Sequence, residues 1–515
     1  MAYRRSRESA AEIVAHDADS QRLFVINASA KTVDILDVSD PTGPVLAGMI
    51  DVLQNLPDAG GVNSVAAHDG LVAVAVENYD KQENGWAAFY DTDGNYLNHV
   101  IAGALPDAIT FTPNGLYVLV ANEGEPSGDY TVDPEGTVTV IDLRNGALLA
   151  SVNTADFSAF SGGAPEGVRI SAPGASVEQD LEPEFITTSH DSRTAWVTLQ
   201  ENNALAIIDI RQAKVTSLVG LGNKDHDIAR AGLDPSDRDG PMNGPAIHIA
   251  QWPVLGTYMP DGIASFFMQG NTYLVTANEG DAREYTYPAA SAAPRCIDPS
   301  HTYSNGICTS WLDEARINSL TLDATAFPDA ATLKTNAMLG RLKVLKTKGD
   351  IDGDSDYDEL HSYGARSISI WDATGVQLGD TGDTIEVETA YALPDYFNST
   401  HDSNRSFDSR SDDKGPEPEG VVVGKVAGRH VAFVGLERIG GVLIFDVTDP
   451  TQPRYVSYTN NRDFLEVDVV HKDAGDLGPE GLVFIKAEDS PNGEPLLVVG
   501  NEISGSTTIY QVVEN

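Results

Sequence analysis

DAITFTPNGLYVLVANEG, residues 107–124, packs two β-strands and a tight turn into one short stretch. Ala108–Phe111 is rich in β-branched and aromatic residues, Pro113–Gly115 is a turn, and Leu116–Ala121 is a second apolar run. Asp107 opens the first strand and Glu123 closes the second. The same element recurs seven times, as AAEIV, GVNSVA, LPDAITF, EPEFITT, MPDGIAS, EPEGVVV and GPEGLVF. The opening residues are Glu12, Asn63, Asp107, Glu184, Asp261, Glu419 and Glu480, and the closing residues are Asn27, Glu77, Glu123, Glu201, Glu279, Glu437 and Glu502.

Around each pair of strands lie two more. EIVAHD, QRLFVI, TVDILD and PVLAGMID make four short strands within residues 11–51, the size of one propeller blade. Spacings between opening residues run 51, 44, 77, 77, 158 and 61, so the first two units are plain and the others carry insertions. The pattern predicts an all-β, seven-bladed β-propeller with blades near 9–52, 60–104, 105–178, 179–255, 256–395, 415–470 and 478–515. ARINSLTLD and ARSISIWDA, in the long fifth insertion, read as outer strands of blade five. Blade seven shows only three strands, so residues 2–8 are expected to supply the fourth and close the ring. The competing reading, an array of β-sandwich domains, needs linkers that the sequence lacks.

Composition narrows the function. A net charge of −44 excludes a generic nucleic-acid or anionic-membrane binder, which needs Lys/Arg stripes. It fits either a solvated protein of saline or extracellular media or acids gathered to hold cations. No apolar run is long enough to span a bilayer. MAYRRSRESA lacks the apolar core of a signal peptide and reads as a trimmed start. Cys296 and Cys308 sit in a loop-like stretch, where a disulfide fits an oxidising compartment and two separate thiols remain the alternative. There is no G-x-S-x-G, phosphate-binding glycine loop or H-E-x-x-H, so acyl-enzyme, nucleotide-loop and zincin chemistry lack support.

In an antiparallel blade the start of the first strand and the end of the second lie on one face. This predicts two tiers of acid at one channel mouth: Glu12, Asp107, Glu184, Asp261, Glu419 and Glu480, then Glu77, Glu123, Glu201, Glu279, Glu437 and Glu502. So many carboxylates repel unless cations neutralise them or protons stay bound. Oxygen ligands favour Ca²⁺, with Mn²⁺ or Mg²⁺ as alternatives at the mouth. Singly, each acid could instead cap a tight turn. His16, His68 and His190 precede Asp in turns on the opposite face and read as turn residues. GDIDGDSDYDEL places Asp350, Asp352, Asp354, Asp356 and Asp358 at alternate positions, as in Ca²⁺ loops, although His361 replaces the final Glu of an EF-hand. Arg283, Arg410, Lys414, Arg438 and Arg462 flank the mouth and either pair with the acids or anchor an anionic substrate.

VLVANEGEPSGDYTVDPEG, YLVTANEGDARE, GDIDGDSDYDELHSYGARSISIWDA, SRSDDKGPEPEG, FVGLERIGG and LGPEGLVFI resemble the bacterial choice-of-anchor I family across about residues 9–512. The resemblance implies a secreted, periplasmic or surface-displayed propeller, and no anchor segment after Gln511 suggests a released or periplasmic form. Some members carry an alkaline phosphatase-like label, and propeller phytases and a propeller phosphotriesterase hold metals at acidic mouths, a likeness at the level of fold. The expected function is a secreted, metal-dependent phosphoester hydrolase acting as a monomer on a small anionic phosphate ester, with nucleophile and general base assigned to no residue. The alternative is a non-catalytic, calcium-stabilised propeller that binds an extracellular ligand.

Overall fold

The computed structural model describes residues 2–4, 11–290, 296–466, 469 and 474–514. Among these the chain is all-β: seven four-stranded antiparallel sheets, one five-stranded sheet and one three-stranded sheet. The seven sheets open on Val14–Asp17, Ala59–His68, Pro106–Phe111, Ile186–Thr188, Ile263–Met268, Pro418–Val426 and Pro479–Ile485. No helix among the described residues is long and apolar enough to cross a membrane.

Burial explains the strand order. In the third sheet Tyr117–Asn122 is buried throughout, whereas the outer strand Ser151–Ala155 is mostly exposed. The second and third strands carry apolar residues on both faces because each sheet is packed between two others. Leu119 and Val140 of the third sheet share a core with Val197 and Ile208 of the fourth. Val431 and Phe433 of the sixth pack with Leu497 and Val499 of the seventh. Ile485 and Val498 of the seventh pack with Leu23 and Val25 of the first.

Ala2–Arg4 supplies the fourth strand of the seventh sheet, with Ala2 opposite Thr508 and Arg4 opposite Ser506. Residues 5–8 of the expected strand lie outside the described residues. The fifth sheet corrects one expectation. ARSISIWDA does supply its third strand, Ser367–Asp372, but the fourth is Gln377–Asp380. Glu314–Arg316, which overlaps the start of ARINSLTLD, instead pairs with Lys343–Leu345 in the five-stranded sheet. A short apolar run specifies a strand without specifying its partner. The three-stranded sheet carries a Cys296–Cys308 disulfide with Cα atoms 5.5 Å apart, which settles the pairing of the two cysteines.

Candidate metal centre

The entry into each first strand is built the same way in several repeats. Leu105, Met259 and Glu417 hold φ of 49°, 42° and 52°, two residues before Asp107, Asp261 and Glu419. A proline follows each, and the ladder then shifts register, between Pro106 and Ile109 and between Pro418 and Val421. This bulge leaves the acid out of the regular ladder and re-aims it. The closing residue is fixed to the same turn: the Glu123 N–H donates to Leu105 O at 3.0 Å, and the Glu437 N–H to Glu417 O at 3.0 Å. One turn therefore positions both tiers.

Neighbouring repeats meet at these openings. A Cβ on Gly262, Gly420 or Gly481 would strike the carbonyl oxygen of Glu419, Glu480 or Glu12. Glycine after the acid is what lets adjacent first strands approach so closely. Asn63 makes the corresponding contact between the second and third sheets, its Nδ2 donating to Pro106 O at 2.9 Å.

The result is one cavity of about 160 Å³ lined by Asn63, Asp107, Glu184, Asp261, Glu419 and Glu480. Glu12 adjoins it through Ile13. Two three-carboxylate groups recur with the repeat, each offering oxygens within 4.8 Å of one another: Asp107–Glu123–Glu184 and Asp261–Glu279–Glu419. Each takes an opening acid, the closing acid of the same sheet and the opening acid of the next. Buried Oε2 atoms of Glu201, Glu419 and Glu480 have no hydrogen-bond partner.

Electrostatics follow from this crowding. Burial first, then the charges of Glu502 and Asp107, push Glu12 up to about 8. Burial raises Asp107 to about 7 against the pull of Lys81, and Glu77 adds to the rise. Burial and then neighbouring acids hold Glu123, Glu184, Asp261, Glu419 and Glu480 well above the usual carboxylate range. Without a cation, this set retains protons near neutral pH.

A second cavity of about 340 Å³ is lined by Glu125, Glu182, Glu201, Asp281 and Tyr285, together with Arg283, Arg410, Lys414 and Arg438. Four of the five basic residues expected to flank the mouth thus converge, yet each is already paired. Arg283 Nη1 lies 2.7 Å from Asp180 Oδ1 and its Nη2 3.1 Å from Glu182 Oε2. Lys414 contacts Glu279, Asp281 and Glu417 at 2.8, 3.1 and 3.2 Å. Arg410 and Arg438 reach Glu417 at 2.6 and 2.9 Å, and Arg438 also reaches Glu437 at 3.0 Å. Burial opposes ionisation of Glu417, but Lys414, Arg410 and Arg438 overcome it and hold its carboxyl far below the usual range. Arg462 is separate: it donates to Asn404 Oδ1 and to the carbonyls of Arg438 and Thr400.

Glu182 and Glu417 went unmarked in the sequence, although both are the first Glu of an EPE triplet whose second Glu opens a strand. That shared spacing was the available signal. Glu77 faces Lys81 at 3.3 Å, and Glu502 raises Glu480 and Glu12 by its charge. His16 and His68 lie at the ends of first strands, and His190 in a turn stacks on Phe267. In the aspartate loop, Asp350, Asp352 and Asp358 form one group, and Asp356 and Asp358 form another with Asp323. Asp354 lies outside both groups, and its charge is the first cause raising Asp352.

Comparison with known proteins matches the choice-of-anchor I domain to residues 12–450. The chain is 31% identical over 191 residues to Gigasin-3a of Magallana gigas, covering 35% of this chain and 67% of that one. It is 26% identical over 348 residues to the mesenchyme-specific cell surface glycoprotein of Strongylocentrotus purpuratus, covering 64% of this chain but only 43% of that protein. Among solved structures, Kuenenia stuttgartiensis hydrazine synthase aligns with TM-score 0.47 and 13% identity, over 99% of this chain and 97% of that one. The Cps50 (Swd1) β-propeller domain of Myceliophteria thermophila aligns with TM-score 0.44 and 10% identity, over 100% and 98%. With most of its length matched by one family model, the chain belongs to the choice-of-anchor I family.

Proposed function

We propose that the seven sheets are blades of a closed ring and that this is an extracellular, metal-dependent phosphoester hydrolase. The carrying observation is the smaller cavity, where acids opening five sheets converge and buried carboxylate oxygens lack partners. Asp107, Glu123 and Glu184 suit a divalent cation best, because Glu279 in the second group is already held by Lys414 and by Gln200 Nε2 at 2.9 Å. Hard oxygen donors without Cys or His fit Ca²⁺, Mn²⁺ or Mg²⁺. Such an ion supplies Lewis acidity and a more acidic bound water. The protein would contribute the rest: Arg438 and Arg410, partly exposed at the larger cavity, orient phosphate oxygens, and acids kept protonated by burial can protonate a leaving oxygen. An extracellular or surface setting agrees with the disulfide, the family and the name of the sea-urchin relative.

Metal analysis followed by turnover of a phosphomonoester and a phosphodiester, with and without EDTA, tests the reading. Metal-dependent turnover lost in Glu184→Gln supports it. A second reading, a calcium-stabilised binding module, is favoured by the saturation of all four basic groups with carboxylates. Bound metal without turnover of either ester decides for that module.

A further inference from the structure

One cation near the acids is not saturated. Lys81 stands four residues after the closing acid Glu77, as Arg283 stands four after Glu279. Arg283 is buried between Asp180 and Glu182. The Lys81 side chain is instead 55% exposed, and its one ion pair among the described residues is with Glu77 at 3.3 Å. A single exposed pair contributes little, so the ammonium can take a second anion at small cost. Burial raises Asp107 and the Lys81 charge opposes that rise, which puts the ammonium beside the Asp107–Glu123–Glu184 group.

The turn that carries Lys81 is fixed. The Tyr79 N–H donates to Asp58 O at 2.8 Å, the Glu83 N–H to Asp80 O at 2.9 Å, and the Asp80 N–H to Asn78 Oδ1 at 3.1 Å. Gln82 Nε2 donates to Glu125 O at 3.1 Å, tying the turn to the chain two residues past Glu123. Held this way, Tyr79 is 81% exposed. With Lys81, Gln82, Pro126 and Tyr285 it lines a third cavity, of about 610 Å³, which meets the larger basic cavity at Glu125, Glu284 and Tyr285. The Tyr285 hydroxyl donates to Glu182 Oε1 at 3.0 Å, which fixes that wall.

Size and lining separate the three cavities. The 160 Å³ beside the acids suits a phosphate group and leaves little room for the alcohol that carries it. The 340 Å³ cavity is walled mostly by charged side chains already paired with one another. The groove at Tyr79 adds an exposed ring and a proline with open space beside them, the surface on which a flat ring stacks.

We propose that this groove binds the alcohol part of a phosphate ester, an aromatic ring stacked on Tyr79, while Lys81 takes a phosphate oxygen at the Asp107–Glu123–Glu184 group. The assignment rests on the phosphoester reading of that group and adds the substrate class, a phosphate monoester of an aromatic alcohol.

Phenylphosphonate and methylphosphonate, whose phosphorus–carbon bond resists hydrolysis, report binding without turnover. Titrated calorimetrically into Ca²⁺-loaded protein, phenylphosphonate should bind about tenfold more tightly than methylphosphonate. Tyr79→Ala should erase that preference and leave methylphosphonate unchanged. Lys81→Met should weaken both by about tenfold. Both side chains are exposed, so neither change removes a core contact. Equal affinities or no binding in the wild type, a preference that survives Tyr79→Ala, or wild-type binding by Lys81→Met overturns the proposal. Phenyl phosphate that binds with this preference but is not cleaved supports the groove and removes the hydrolase reading alone.

Discussion

Glu417 and Glu419 are two residues apart and have opposite electrostatics. Glu417 is surrounded by three cations and stays ionised, whereas Glu419 faces acids and holds its proton. Glu417→Gln should leave Lys414, Arg410 and Arg438 short of charge and destabilise the fold by about 3–5 kcal/mol, the range for breaking a buried pair. Denaturant unfolding measures this. Glu419→Gln should do the reverse in metal-free protein, raising Tm at pH 8 because a neutral amide stays uncharged without having to hold a proton against rising pH, while lowering bound metal. A fall in Tm for Glu419→Gln in EDTA would contradict the charge assignment.

At the level of elements, strand openings were legible because each repeat writes a polar opening residue and then an apolar run, with glycine directly after Asp261, Glu419 and Glu480. Their convergence was legible too, since antiparallel pairing fixes which strand ends share a face. Ion pairing was less so. Arg283 meets Asp180 and Glu182 across more than a hundred residues, and no local pattern encodes such a contact. ARINSLTLD misled for the related reason that sheet membership is a long-range property. The aspartate loop joins Lys343–Leu345 to His361–Tyr363, neighbouring strands of the five-stranded sheet. Calcium should protect residues 285–365 from limited proteolysis, and Asp352→Asn/Asp354→Asn should abolish that protection while the sheets persist. Equal digestion of the wild type with and without calcium would make this loop a plain acidic turn.

For the whole molecule, the raised carboxyls set a pH dependence. A group whose folded pKa lies above its unfolded value favours folding fully below the unfolded pKa, and the benefit is lost as pH rises through the folded pKa. Glu12 at about 8, and Glu182, Glu201 and Glu279 at about 7, therefore predict that metal-free protein loses stability between about pH 4.5 and 8. Glu417 acts oppositely and weakens the fold only at low pH. Thermal scans in EDTA should show Tm falling from pH 5.5 to 8, and added Ca²⁺ should restore it most at pH 8. A Tm that rises over this range in EDTA would exclude protonated acids in the cavity.

The pairing of Ala2–Arg4 with residues 506–508 bears on how the chain folds. The two partners are separated by nearly the whole of this sequence, so the seventh sheet gains its fourth strand only through a contact of very long range. Until they pair, the seventh sheet keeps an open edge, and unpaired strand edges are sites of association. Folding should therefore end in a slow, late docking step, and C-terminally shortened chains should aggregate even though most of their sheets are intact.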